Sequence, residues 1–166
     1  MPTYKRFEDL PVWQAAIKLA LRVYALTETE TFRGRNSLRD QIERAVLSIS
    51  NNIAEGFERG TTNELLHFLY IARGSCGEVR SMLCFLERMP AFKHLKSEIS
   101  NLKSLAESVS RQLRGWADAL QNSDIPGQRY LTKESRQAFK RQRAREEFLA
   151  KLEAILEESR RKRGSG

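Results

Sequence analysis

The chain has 166 residues, 40% of them hydrophobic and 8% aromatic, the size of one domain and apolar enough for a folded core, which excludes most multidomain enzymes and disorder throughout. Its formal net charge of +8 favours an acidic partner such as nucleic acid or an anionic surface. The excess is uneven, with 17 basic and 15 acidic residues through Gly127 against 12 basic and 6 acidic from Gln128 onward.

Met1–Leu10 is polar and charged and carries no apolar run leading to a small-residue cleavage site. No stretch of about 18 apolar residues follows, so the expectation is a soluble, cytoplasmic protein with no membrane partner. The first helix opens where Asp9 or Leu10 leads into Pro11, since a proline is tolerated in a first turn. Trp13, Ala16, Ile17, Ala20, Leu21 and Tyr24 recur at helical spacing and predict its buried face, with Lys18 and Arg22 on the opposite side. Glu28 to Asn36, which includes Gly34 and lacks apolar periodicity, reads as a loop.

Ser37 with Asp40 three residues later approximates a capping box and opens a second helix. Its seam positions are Leu38, Ile42, Ala45, Ile49, Asn52 and Gly56, so an asparagine and a glycine stand where a plain bundle would put leucine. Gly56 fits either close helix packing or termination, and Gly60 fits a C-terminal stop. Thr61-Thr62-Asn63-Glu64 offers a further capping box, and the third helix runs from there to Pro90, which cannot continue it. Between Leu65 and Ala72 only His67 is strongly polar, so apolar side chains point all round the helix and need cover all round. One core stripe uses only part of them, which assigns Phe68, Tyr70 and Ile71 to a subunit interface. Gly74 and Gly77 join that interface, because a mid-helix glycine costs about 1 kcal/mol and is explained if another backbone approaches closely. Cys76 and Cys84 are eight residues, or about 12 Å, apart on this helix, too far to pair, and read as small core residues.

The fourth helix is the cleanest signal: Leu95, Ile99, Leu102, Ala106, Val109, Leu113, Trp116 and Leu120 keep a strict alternation of four and three. Four such helices with short loops predict an all-α, antiparallel, up-and-down four-helix bundle over residues 1–122. Residues 123–130, with Pro126 and Gly127, read as a linker. A C-terminal basic, amphipathic helix is expected over 131–163. Its first part carries Arg136, Lys140, Arg141, Arg143 and Arg145, and its second sets Phe148, Leu149, Leu152, Ile155 and Leu156 against glutamates, a face that wants a partner.

Asn52 and Glu55 invite a catalytic reading, but no His or Cys stands at a spacing that would make a nucleophile or a metal site with them. The structural reading is that Asn52 fixes register and that Glu55 accepts hydrogen bonds from a neighbouring helix. Glu64 with His67 is an i, i+3 pair that lacks a second copy. Without clustered carboxylates or paired histidines, a nuclease or any other enzyme is not expected, nor are a metal, a cofactor or a small-molecule substrate. The candidate RNA contacts are Lys18, Arg22, Arg39 and Arg44 on the bundle, with Arg136, Lys140, Arg141, Arg143 and Arg145 beyond it. Aromatic residues are sparse among them, so such binding would read phosphate and shape, not base sequence.

The run Ser48-Ile49-Ser50-Asn51-Asn52-Ile53-Ala54-Glu55-Gly56 closely resembles a bacterial family. Phe7-Glu8-Asp9-Leu10 with Trp13-Gln14 and Ala16, Leu38 with Gln41-Ile42, and Phe68-Leu69 with Ile71-Ala72-Arg73-Gly74-Ser75 agree with it. The resemblance is to the four-helix-bundle proteins encoded in intervening sequences of bacterial 23S ribosomal RNA genes, over about residues 5–122. More distantly, the chain is similar to the accessory variability protein of diversity-generating retroelements. The resemblance implies a homopentamer of bundles forming a tapered barrel. For the retroelement members it also implies binding of a reverse transcriptase and of template RNA through a basic surface. The expectation is therefore a non-enzymatic, homo-oligomeric RNA-binding accessory protein that holds template RNA and docks a reverse transcriptase. The alternative is a protein–protein interaction scaffold that binds no nucleic acid. The helix after Gly127 lies outside the resemblance.

Overall fold

A computed structural model describes residues 4–122, 137, 141–152 and 154. The chain divides into two units, Met1–Arg129 and Tyr130–Gly166. The first unit holds four helices: α1 (Pro11–Thr27), α2 (Asn36–Glu58), α3 (Thr62–Arg88) and α4 (Lys96–Gln121). Short 3-10 turns at Phe7–Asp9, Glu30–Phe32 and Pro90–Leu95 lead into or join them.

Contacts between α2 and α3 fix their direction: Gly56 lies against Phe68, Ser48 bonds Ser75 and Gln41 bonds Glu78, so numbers rise on one helix as they fall on the other. Glu87 with Lys103, Arg80 with Glu107 and Tyr70 with Gln121 do the same for α3 and α4. Both pairs are antiparallel. Helix α1 closes the ring by packing on α2 and α4, which makes the expected four-helix bundle.

Helix α4 buries Ile99, Leu102, Ala106, Val109 and Leu113 as its alternation predicts. Its last turn then drifts, burying Ala117 while Trp116 and Leu120 are half-buried. That drift is expected, since 3.6 residues per turn do not keep a strict seven-residue repeat in register on a straight helix. Helix α1 is rotated from the expected face, which it keeps in part: Ala16 and Ala20 are buried and Trp13 and Tyr24 pack half-buried against the core. Val12, Ala16, Leu19, Ala20, Val23 and Leu26 are buried, whereas Leu21 is 68% exposed. Both sets recur at helical spacing, so the pattern alone left two phases open, and packing against α2 and α4 selects one.

Two boundaries also differ. Helix α2 starts at Asn36, with no side-chain cap from Arg35, so Ser37 and Asp40 lie inside the helix. It ends at Glu58 with Arg59 extended, and Gly60 plays no left-handed stop, Gly34 being the one glycine with positive φ among the described residues. At α3 the expected cap is present: Thr61 Oγ1 accepts the Glu64 backbone N–H at 3.2 Å and donates to its carboxylate at 2.8 Å. The loop before α2 contains a core residue that its lack of periodicity concealed. Phe32 is 2% exposed and meets Phe92 edge-on at 5.0 Å.

Candidate nucleic-acid interface and assembly surface

The nine-residue run from Ser48 to Gly56 lies in α2 and meets α3 at both of its ends, through Ser48 with Ser75 and Gly56 with Phe68. Asn52 is half-buried and donates to the Ser48 carbonyl at 2.6 Å and to its hydroxyl at 2.9 Å. The Ser48 and Ser75 hydroxyls are 2.9 Å apart, and Ser75 also donates to the Ile71 carbonyl. Asn52 therefore bears on helix register through Ser48, its direct bonds staying within α2. One turn on, a Cβ added at Gly56 would sit 2.7 Å from Phe68 Cβ, so this glycine serves close packing and not termination. Phe68 is accordingly half-buried in the α2–α3 contact of its own bundle.

Glu55 does not reach a neighbouring helix. It is exposed and takes Arg59, the residue just past the end of its own helix, at 2.7 Å across an i, i+4 spacing. Arg59 also lies 3.6 Å from Glu64 and over the Phe68 ring at 5.2 Å, and the Glu55 contact holds its guanidinium above its ordinary value. This corner is a closed network of charge on charge.

The outer face of α3 is open. Tyr70, Ile71 and Phe85 are 44%, 39% and 53% exposed. They flank Gly74 and Gly77, which are also exposed. Among the described residues nothing approaches within 4 Å of a Cβ at either glycine, so the close approach expected there is not made within the described bundle. Tyr70 is tied at its hydroxyl, which accepts from Gln121 Nε2 at 2.6 Å. Of the two cysteines on this helix, both free, Cys76 is buried and its thiol is pushed up to about 12 by loss of solvent, which makes it inert as a nucleophile.

Of the cations singled out on the bundle, Arg22 is bound elsewhere. Its Nη2 reaches both Glu98 oxygens at 2.7 and 2.9 Å, a two-pronged clasp between α1 and α4 for which a phosphate would have to compete. The partners are 76 residues apart, a pairing no local pattern reveals. Arg39 is exposed beside Asp40 at 3.7 Å, Arg44 donates to the Asp40 carbonyl at 3.2 Å, and Lys18 is exposed. Sequence reasoning passed over a denser group. Arg88, Lys93 and Lys96 follow one another across the α3–α4 connection with no acidic residue between them, a signal legible in the chain as a charge run.

In the second unit, Arg141, Arg143 and Arg145 lie in the helical stretch 141–152, all of them exposed. Arg143 pairs with Glu147 at 3.4 Å and Gln142 with Glu146 at 3.1 Å, both i, i+4 contacts along the helix surface. Phe148, Leu149 and Leu152 are 62%, 48% and 39% exposed. Arg136 and Lys140 lie outside the described residues, as do the 123–130 linker, Ile155 and Leu156. Among the described residues no three His, Cys, Asp or Glu side chains gather as a metal site would require, and no helix is long and apolar enough to cross a membrane.

Residues 8–115 match the family described as 23S rRNA-intervening sequence protein. A crystal structure of a protein of unknown function from the S23 ribosomal protein family of Bacteroides thetaiotaomicron is similar, with a TM-score of 0.57 and 18% identity over 64% of this chain and 97% of that one. At that identity the likeness speaks to the fold. No curated protein matches the chain in sequence.

Proposed function

Because the chain belongs to the 23S rRNA-intervening sequence protein family, we propose that it is a non-enzymatic, cytoplasmic, homo-oligomeric accessory protein that binds RNA by its phosphates. The observation that carries this reading is the concentration of cations beyond Gly127, represented by Arg141, Arg143 and Arg145 on a helix exposed throughout. Twelve basic residues against six acidic in that segment make it an attractor for polyanions in any orientation. Assembly is supported by the uncovered apolar face of α3 at Tyr70, Ile71 and Phe85, with Gly74 and Gly77 between them offering room for a second backbone. A homopentamer is the closure we favour, from the resemblance to the barrel-forming relatives. The partner we favour is the reverse transcriptase of a diversity-generating retroelement, with the protein holding the template RNA beside it.

The test is binding of a fluorescein-labelled RNA hairpin by the purified full chain at low salt, alongside a mass measurement. Retention of the hairpin that falls steeply with added salt is expected, together with a mass near five chains. Affinity no greater than that of a neutral control protein would end the RNA reading, and a stable monomer would end the barrel. A second reading, a protein–protein scaffold without nucleic acid, is favoured by the exposed Phe148, Leu149 and Leu152. It requires that removing residues 128–163 abolish capture of a protein partner while RNA affinity is absent throughout.

A further inference from the structure

We propose that the α3–α4 connection is itself an RNA-backbone contact site, with Arg88, Lys93 and Lys96 as its phosphate donors; this rests on the RNA-binding reading above and places part of that binding on the bundle. Most arginines of the bundle are compensated: Arg6 by Glu8, Arg22 by Glu98, Arg59 by Glu55, Arg111 by Glu107 and Arg114 by Asp118. The connection departs from that rule. From Arg88 to Lys96 there are three permanent cations and His94, and no acid. Lys93 and Lys96 are exposed and make no ion pair among the described residues, while Arg88 Nη1 donates at 2.7 Å to the Cys84 carbonyl near the end of its own helix.

The nearest acid is already taken. Glu87 accepts a hydrogen bond from Lys103 Nζ at 2.6 Å, and both side chains are mostly covered. Its carboxyl is held below the usual range, first by that bond and then by the charges of Lys103, Lys96 and Arg88. Lys103 thus occupies the carboxylate, and the charges of Lys96 and Arg88 add to its field without a bond to it, leaving a local excess that a phosphate would neutralise. Helix α4 begins at Lys96 with no side-chain cap from Leu95, so its positive end adds to the same potential.

The platform is also rigid, which lowers the cost of ordering it on binding. Phe92, next to Lys93 in the chain, is fully buried and packs edge-on against Phe32. Arg35 lies over the Phe92 ring at 5.8 Å and also donates to the Thr31 carbonyl. The Thr31 hydroxyl sits 3.1 Å from His94 Nε2. These contacts pin the connection from its buried side and present its cations outward. Nothing in the group is shaped to read a base edge, so the site takes a sugar–phosphate backbone without sequence preference.

The experiment compares three full-length proteins on the labelled hairpin from roughly 50 to 200 mM salt: the parent, the triple variant Arg88→Gln/Lys93→Gln/Lys96→Gln, and a control triple, Lys5→Gln/Arg73→Gln/Arg114→Gln, of equal charge change. The connection variant is expected to lose about tenfold or more in affinity at the low-salt end. Its plot of log affinity against log salt should flatten by about 2.1–2.7, because each lost phosphate contact removes about 0.7–0.9 from the slope. The control should change by less than about threefold, as charge far from a contact acts only through screened long-range attraction. Lys93→Gln/Lys96→Gln, which leaves the Arg88 bond to Cys84 in place, guards against misfolding and should show a slope change of about 1.4–1.8. A parent that binds while both triples lose equally overturns the inference and leaves the RNA reading standing. A parent that does not bind overturns that reading, and this inference with it. As an independent readout, adding the hairpin should raise the titration midpoint of Glu87 in the parent, because a phosphate competes for its cations; no shift under saturating RNA would also overturn the placement.

Discussion

Helix α3 ends in two unlike ways. At its N-terminal end, Arg59 is shared among Glu55, Glu64 and the Phe68 ring, Thr61 caps the first turn, and Gly56 lets the α2 backbone lie on Phe68. At its C-terminal end, Phe92 is buried as firmly as any core residue, but the cations beside it make no ion pair among the described residues. Both ends are ordered by apolar contact, and they differ in what happens to charge. Where charge is neutralised locally the residues serve register and capping. Where it is left over on a rigid base, a partner of opposite sign is the simplest account. Between the two ends runs the apolar outer face, which has neither kind of closure within one chain.

The largest effect separating these regions is expected at Gly56. Inserting bulk into packed contacts costs about 1–3 kcal/mol, and a Cβ here meets a Cβ, not a mobile side-chain end. Gly56→Leu should therefore lose about 3 kcal/mol in urea unfolding. Gly56→Ala should also be destabilised, although alanine is the better helix former by about 1 kcal/mol. If Gly56→Ala were instead more stable than the parent, the corner would not be the tight junction described.

Gly74 and Gly77 should respond with the opposite sign, and so sharpen the contrast. With nothing near them among the described residues, Gly74→Ala/Gly77→Ala should gain about 1–2 kcal/mol in the dilute, dissociated protein from helix propensity alone. In the assembled protein the added methyls would stand where the second backbone is expected, and sedimentation velocity should show the oligomer loosened. An oligomer unaffected by both methyls would remove this face from the interface.

A smaller loss, about 1 kcal/mol, is expected for Thr61→Ala, which deletes the cap of α3. It should appear in thermal unfolding and leave RNA affinity unchanged. An equal drop in RNA affinity would mean that the two ends of α3 are not the independent sites the comparison makes them.

What could be read from the chain follows the range of the interactions involved. The α4 stripe, the Thr61 cap and the stop before Pro90 are set by residues within a few positions of one another, and local pattern finds them. The phase of α1 was not legible, because Leu21 and Leu19 serve two equally periodic stripes and only the neighbours α2 and α4 choose. The partners of Arg22 and Glu55 within the chain are not legible either, for opposite reasons. Arg22 finds a partner 76 residues away that no local rule supplies, whereas Glu55, given a neighbouring helix as partner, takes the nearer one on its own turn. Gly56 was narrowed to two roles, and the Phe68 contact decides between them. The charge run at Arg88, Lys93 and Lys96 was present in the sequence but undistinguished until its pairing could be compared with that of the other cations.

The smallest expected effect tests the basic end through pH. The Glu87 carboxyl is held below its ordinary value of 4.5, chiefly by the Lys103 hydrogen bond. A carboxylate lowered by folding adds stability that is fully present above its unfolded value and lost as the pH falls through the folded one. The stability difference between the parent and Glu87→Gln should therefore be flat near neutrality and shrink on acidification below the ordinary glutamate range, as read by urea midpoints. Lys96→Gln removes one of the three cations without touching the Lys103 bond, so the Glu87 midpoint should rise part of the way back, seen by carboxyl NMR titration. A Glu87 midpoint at the ordinary value in the parent would mean that Arg88, Lys96 and Lys103 do not act on it in solution, and the rigid basic end would lose its electrostatic basis.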